Sequence, residues 1–128
     1  MILLLDTHLL LWAAGAPERL PPAAREMLAD PRNSLWFSAA SIWEVVIKAG
    51  LGRGDFRVDA HLLRRGLLDH GYEELPVTSA HVLATAHLPP IHKDPFDRVL
   101  VAQAETEGVL LLTSDSVVAR YPGPIRKV

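Results

Sequence analysis

The sequence predicts an α/β protein, a parallel sheet with helices on both of its faces. Three observations predict it. Short apolar runs alternate along the chain with longer stretches of helical period. The first run, Ile2-Leu3-Leu4-Leu5, and the most hydrophobic one, Val109-Leu110-Leu111-Leu112, contain no polar residue, as befits strands buried on both faces. Glycine, proline and capping residues mark the boundaries between the two kinds of segment.

The elements follow in order. A strand over residues 2–5 leads to a helix expected around residues 18–29, preceded by prolines and ended by Asp30-Pro31. Leu35-Trp36-Phe37 is a second short strand. Residues 38–41 lead into a helix on which Ile42, Val45, Val46 and Ala49 repeat with helical period, and Gly50 is placed to end it. Leu51-Gly52-Arg53-Gly54-Asp55-Phe56 is expected to be a loop. Asp59 caps a helix carrying Leu62, Leu63, Gly66 and Leu67, with Gly71 at its end. Residues 72–76 form a weaker strand, and Thr78 caps a short helix running to His87. Leu88-Pro89-Pro90-Ile91-His92-Lys93 is irregular. Asp94-Pro95 reads as an N-cap followed by proline at the first helical position, opening a helix to Glu107 with Gly108 past its end. The strand at residues 109–112 comes next, then a helical turn near Val117 and an edge strand at residues 125–128.

A chain of 128 residues is expected to form one domain, spanning 1–128, with its own core. Cysteine is absent, which excludes disulfides, thiolate nucleophiles and zinc ribbons. The opening apolar run stops at Asp6, too short for a signal peptide or a membrane span, so a cytoplasmic protein with no membrane partner is expected. A net charge of −2 is unusual for a nucleic-acid binder. Lys48, Arg53, Arg57, Arg64 and Arg65 do cluster in one segment, which reads first as a solvated helical face.

Four acids fall where strands end or helices begin: Asp6, Glu44, Asp97 and Asp115. In a parallel sheet those positions share one edge, where ligands bind. Each acid has an ordinary explanation when taken singly. Asp6 can be a turn or a helix cap. Ser41-Ile42-Trp43-Glu44 fits a capping box. Asp94 and Asp97 both suit the first turn of a helix by complementing its dipole, and Asp115 can cap a turn at Ser116. Gathered at one edge, four carboxylates would repel one another unless a hard cation lay between them. Their chemistry is then metal-dependent cleavage of a phosphodiester, which needs neither histidine nor cysteine. Glu44 and Lys48 are one helical turn apart and can pair.

With these residues laid out, the chain resembles the PIN-domain ribonucleases, and within them the VapC toxins of toxin–antitoxin modules. The resemblance runs through Leu3-Leu4-Leu5-Asp6-Thr7-His8-Leu9-Leu10-Leu11-Trp12, Ser38-Ala39-Ala40-Ser41-Ile42-Trp43-Glu44 and Leu111-Leu112-Thr113-Ser114-Asp115. Its most specific segment is Asp94-Pro95-Phe96-Asp97-Arg98-Val99-Leu100-Val101-Ala102-Gln103-Ala104. The resemblance implies a three-layer α/β/α sandwich around a parallel sheet of order 3-2-1-4-5. It implies Mg²⁺ or Mn²⁺ held at Asp6, Glu44, Asp97 and Asp115, with Asp6 and Asp97 the principal ligands, and endonucleolytic cleavage of RNA. It also implies a cognate antitoxin and a homodimer. A catalytically silent PIN-fold module that binds RNA or protein is the alternative, and loss of an acid would be its mark.

Residues beside the acids complete the expectation. Either Asp94 or Asp97 can be the third acid, and Asp97 is favoured because Asp94 suits the N-cap. Asp94 then stands behind the site. Thr7 and Thr113 can orient carboxylates or contact phosphate, although local backbone hydrogen bonding is their commoner role. Arg98 can pair with an acid, meet phosphate or make a structural salt bridge. His8 reads as structural, and Trp12, Trp36 and Trp43 read as core.

Overall fold

The computed structural model describes residues 1–52 and 57–128. Most of the loop expected at Leu51-Gly52-Arg53-Gly54-Asp55-Phe56, and Arg53 of the basic cluster, lie outside the described residues. In order, the elements are β1 (Ile2–Leu5), α1 (Thr7–Gly15), α2 (Pro22–Ala29), β2 (Ser34–Ser38), α3 (Ala39–Gly50), α4 (Ala60–Asp69), β3 (Glu73–Leu75), α5 (Ser79–Ala84), α6 (Pro95–Glu107), β4 (Leu110–Thr113) and β5 (Ile125–Lys127). Short 3₁₀ turns at Pro17–Arg19, Thr85–His87 and Val118–Arg120 join some of them.

Among the described residues five strands form one sheet, every neighbouring pair parallel, in the order β3-β2-β1-β4-β5. This is the topology the resemblance implied. Successive residues of a strand face opposite sides of a sheet, and the core divides accordingly. Leu3 and Leu5 of β1, Phe37 of β2 and Leu112 of β4 pack with Leu9 and Leu10 of α1, Ala24 of α2, Val45 of α3 and Leu63 and Leu67 of α4. Leu4 and Leu111 face the other way, toward Leu100, Val101 and Ala104 of α6 with Val118 and Tyr121. Helices therefore cover both faces. The edge strands β3 and β5 are three residues long and carry Glu73-Glu74 and Arg126-Lys127 respectively.

The helix ends follow local chemistry. Asp59 Oδ1 accepts from the amides of His61 and Leu62, and the Asp94 side chain accepts from those of Phe96 and Asp97 ahead of Pro95. Gly108 adopts φ 69°, the left-handed turn that closes α6 at little cost to a residue without Cβ.

Three sequence expectations need correction. A helix, α1, begins at Thr7 directly after β1, where none was expected. Thr7-His8-Leu9-Leu10-Leu11-Trp12-Ala13-Ala14-Gly15 is apolar almost all round and shows no polar stripe to betray its period. Glu18 lies in a 3₁₀ turn, and α2 starts only at Pro22. Finally, α3 is capped by Ser38, whose Oγ accepts from the Ala40 amide, so Ser41 and Glu44 lie inside the helix and form no capping box. Gly50 is still helical.

Leu4 is fully buried at the centre of the sheet. Leu4→Ala removes buried methyl groups and leaves a cavity, so it should lower the unfolding free energy by about 2–5 kcal/mol. Urea denaturation of both proteins checks this, and a loss well below 1 kcal/mol would contradict the core described here.

Candidate metal centre

The register of β1 against β4 builds the first corner of the site. Leu5 stands opposite Leu112, so the next residues, Asp6 and Thr113, meet at the carboxyl edge. The Asp6 amide donates to Leu112 O at 3.0 Å. Asp6 then caps α1, its Oδ1 accepting from the Leu9 amide at 2.9 Å. Its other oxygen, Oδ2, accepts from Thr113 Oγ1 at 2.6 Å. Asp6 is only 4% exposed, and burial raises its pKa above the ordinary carboxylate value although both hydrogen bonds oppose the shift.

Glu44 forms the second corner. It is also 4% exposed, sited on α3 where that helix passes the start of α1. Thr7 Oγ1 donates to Glu44 Oε1 at 2.7 Å and lies 2.9 Å from Ser41 Oγ. Lys48 Nζ sits 2.6 Å from Glu44 Oε2, the pair expected from their spacing. Thr7 and Thr113 thus orient carboxylates. Local backbone bonding was their commoner role, and Thr113 does that as well, accepting from the Asp115 amide at 3.0 Å.

Asp97 and Asp115 close the site from the far side. Asp97 lies in the first turn of α6, and Asp115 follows β4 with its Oδ1 accepting from the Val117 amide at 2.7 Å. A ring nitrogen of His92 and one oxygen each from Asp97 and Asp115 lie within 4.8 Å of one another. Burial, followed by the negative charges of Asp94, Glu44, Asp6 and Asp115, pushes the Asp97 pKa up to about 7. The charges of the other three acids therefore all reach Asp97. Glu44 has Lys48 as counter-charge at 2.6 Å, whereas Asp97 has the His92 imidazole at 3.3 Å.

The donor set suits a hard divalent cation: carboxylate oxygens, several of them buried, in excess of the cationic partner beside them. Asp94 is the N-cap, as favoured, and its charge still reaches Asp97. Two neighbours depart from expectation, and the basic cluster keeps to it. Arg98 turns away from the acids, donating to Pro89 O at 3.0 Å, Thr85 O at 2.9 Å and the Tyr121 hydroxyl at 3.1 Å. It braces the 85–92 segment, because consecutive helical residues point about 100° apart. Trp43 is 62% exposed instead of core, edge-on to Phe96 at 5.2 Å. In the basic cluster, Lys48 and Arg64 are engaged in ion pairs with Glu44 and Glu74. His92 was missed altogether. Its signal was its place two residues before a helix-capping Asp, which sets its ring over the first turn of α6.

The family model of the PIN domain matches residues 3–124. The chain belongs to the PIN-domain family. Solved structures with this fold include VapBC2 from Rickettsia felis bound to a promoter DNA fragment, at TM-score 0.71 and 16% identity over 100% of this chain and 99% of that one. A toxin–antitoxin complex from Klebsiella pneumoniae gives TM-score 0.61 and 16% identity, covering 98% of each chain. VapBC-1 from nontypeable Haemophilus influenzae gives 0.62 and 17%, covering 99% of this chain and 98% of that chain. At such identities the likeness is one of fold. No match to this sequence was found among curated proteins. Among the described residues of this PIN domain, no helix is long and apolar enough to cross a membrane.

The raised Asp97 pKa has a signed consequence for the metal-free PIN domain. Between the ordinary value of 3.8 and about 7 the folded state holds a proton that the unfolded state has lost. This group's contribution to stability therefore falls as pH rises through that window and levels off above it. Asp97→Asn removes the titration. Without divalent ions, its melting temperature relative to wild type should rise from pH 5 to pH 8. Adding Mg²⁺ at pH 8 should favour the wild type again. A difference independent of pH would contradict the electrostatics.

Proposed function

We propose that this PIN domain is a metal-dependent endoribonuclease, acting as the toxin of a toxin–antitoxin pair in the cytoplasm. One observation carries the reading: carboxylates from four separate segments, Asp6, Glu44, Asp97 and Asp115, gather around one edge of the sheet and couple electrostatically at Asp97. Asp6 and Asp97 are the proposed principal ligands of Mg²⁺ or Mn²⁺, with Glu44 and Asp115 completing the pocket. When bound, such an ion supplies a polarised phosphate and an acidified water for in-line attack.

The chain's own residues prepare that chemistry. Thr113 fixes the Asp6 carboxylate by its short hydrogen bond, and Thr7 does the same for Glu44. Lys48 offsets the Glu44 charge without entering the cluster's centre. The caps donated by Leu9 and Val117 amides hold Asp6 and Asp115 in place before substrate arrives. No nucleophilic side chain is needed, so no covalent enzyme intermediate forms.

The partners follow from the same reading. The Rickettsia and Haemophilus structures are VapBC assemblies, and their fold supports a cognate antitoxin here. Exposed Trp43, Val46 and Ile47 on α3 and Val82 and Leu83 on α5 support a homodimer. A silent binding module is less well supported, since each of the four acids is in place.

Purified protein incubated with total bacterial RNA tests the reading. Discrete fragments should appear with Mg²⁺ and vanish with chelator. Asp6→Asn should cut more than about a hundredfold more slowly, beyond the range for disturbing a metal's outer partners. Equal cutting by that variant, or cutting indifferent to chelator, would refute the mechanism.

A further inference from the structure

The ring nitrogen of His92 lies with oxygens of Asp97 and Asp115 at a spacing that a cation could bridge, which makes His92 look like a metal ligand. Its hydrogen bonds argue otherwise. His92 Nδ1 accepts from the Asp94 amide at 3.2 Å. That amide cannot turn, because Asp94 is fixed as the N-cap of α6. A neutral imidazole accepts at one nitrogen and donates at the other, so the proton sits on Nε2. Nε2 in turn lies 3.3 Å from Asp97 Oδ2, which can only accept when ionised. Ligation through Nε2 would move the proton to Nδ1 and set two N–H donors against each other.

The backbone of His92 is held just as firmly. The hydroxyl of Tyr121, a residue only 3% exposed, accepts from the His92 amide at 2.9 Å and donates to the His92 carbonyl at 3.2 Å. Arg98 also donates to that hydroxyl at 3.1 Å. Tyr121 and Arg98 thus place the loop, the Asp94 amide sets the tautomer, and Nε2 is left standing beside one oxygen of Asp97.

We propose that His92 is a positioning residue that steadies the Asp97 carboxylate and not a ligand, leaving an all-oxygen ligand set for the cation. This rests on the metal-centre reading above. An oxygen set favours Mg²⁺ and Mn²⁺, whereas an imidazole in the set would favour zinc, nickel or copper. His92 thereby bears on which metals the site takes.

Mn²⁺ titration and pulsed electron paramagnetic resonance of the Mn²⁺-loaded protein test this without reference to activity. His92→Gln keeps an N–H donor near the position of Nε2, and His92→Ala removes it. The wild type should bind Mn²⁺ with no signal from directly coordinated nitrogen. His92→Ala should bind about 10- to 100-fold more weakly, and His92→Gln should recover most of that loss. A coordinated-nitrogen signal in the wild type that disappears in His92→Gln would overturn the proposal while leaving the metal centre intact. Unchanged Mn²⁺ affinity in His92→Ala would also overturn it. Absence of Mn²⁺ binding by the wild type, or equal binding by Asp6→Asn, would refute the metal centre and this proposal with it.

Discussion

The parallel pairing of β1 between β2 and β4 is the constraint on which the rest of the structure depends. β1 has four residues, and its buried leucines send side chains into both cores. A slip of one residue would exchange those cores and carry Asp6 to the wrong face. The register instead brings Asp6 level with Thr113, and the hydroxyl of Thr113 ties the end of one strand to the end of the other. Glu44 is referred to the same strand through Thr7, the residue after Asp6. Packing thus fixes the positions of acids that would otherwise move apart.

Electrostatics then divides the labour among those acids. Glu44 has both oxygens occupied, one by a hydroxyl and one by an ammonium. Asp6 has a cap and a hydroxyl but no cation in contact with it among the described residues. Asp97 receives the combined repulsion, which adds to burial in raising its pKa. A folded protein that keeps such a cluster sacrifices stability for it, as sites of chemistry often do.

Much of this was legible in the sequence. The caps at Asp59, Asp94 and Thr78 and the closing turn at Gly108 are short-range signals, and each falls where it was expected, whereas Glu44 lies deeper in its helix than the sequence suggested. Sheet order came from the family resemblance and not from periodicity. The first helix was illegible because its apolar surface is nearly continuous. Trp43 was misjudged because an aromatic on a helix gives no sign of which side is covered. Arg98 and His92 depend on Tyr121, more than twenty residues away along the chain, and no local pattern reports such a contact.

The edges of the sheet carry a last consequence. β3 presents Glu73 and Glu74, and β5 presents Arg126 and Lys127. Two copies joined symmetrically across either edge would set like charges against each other. Strands of three residues also offer little backbone to pair. Extension of the sheet from one molecule into the next is thus discouraged at both ends, and symmetric association is left to the helical faces.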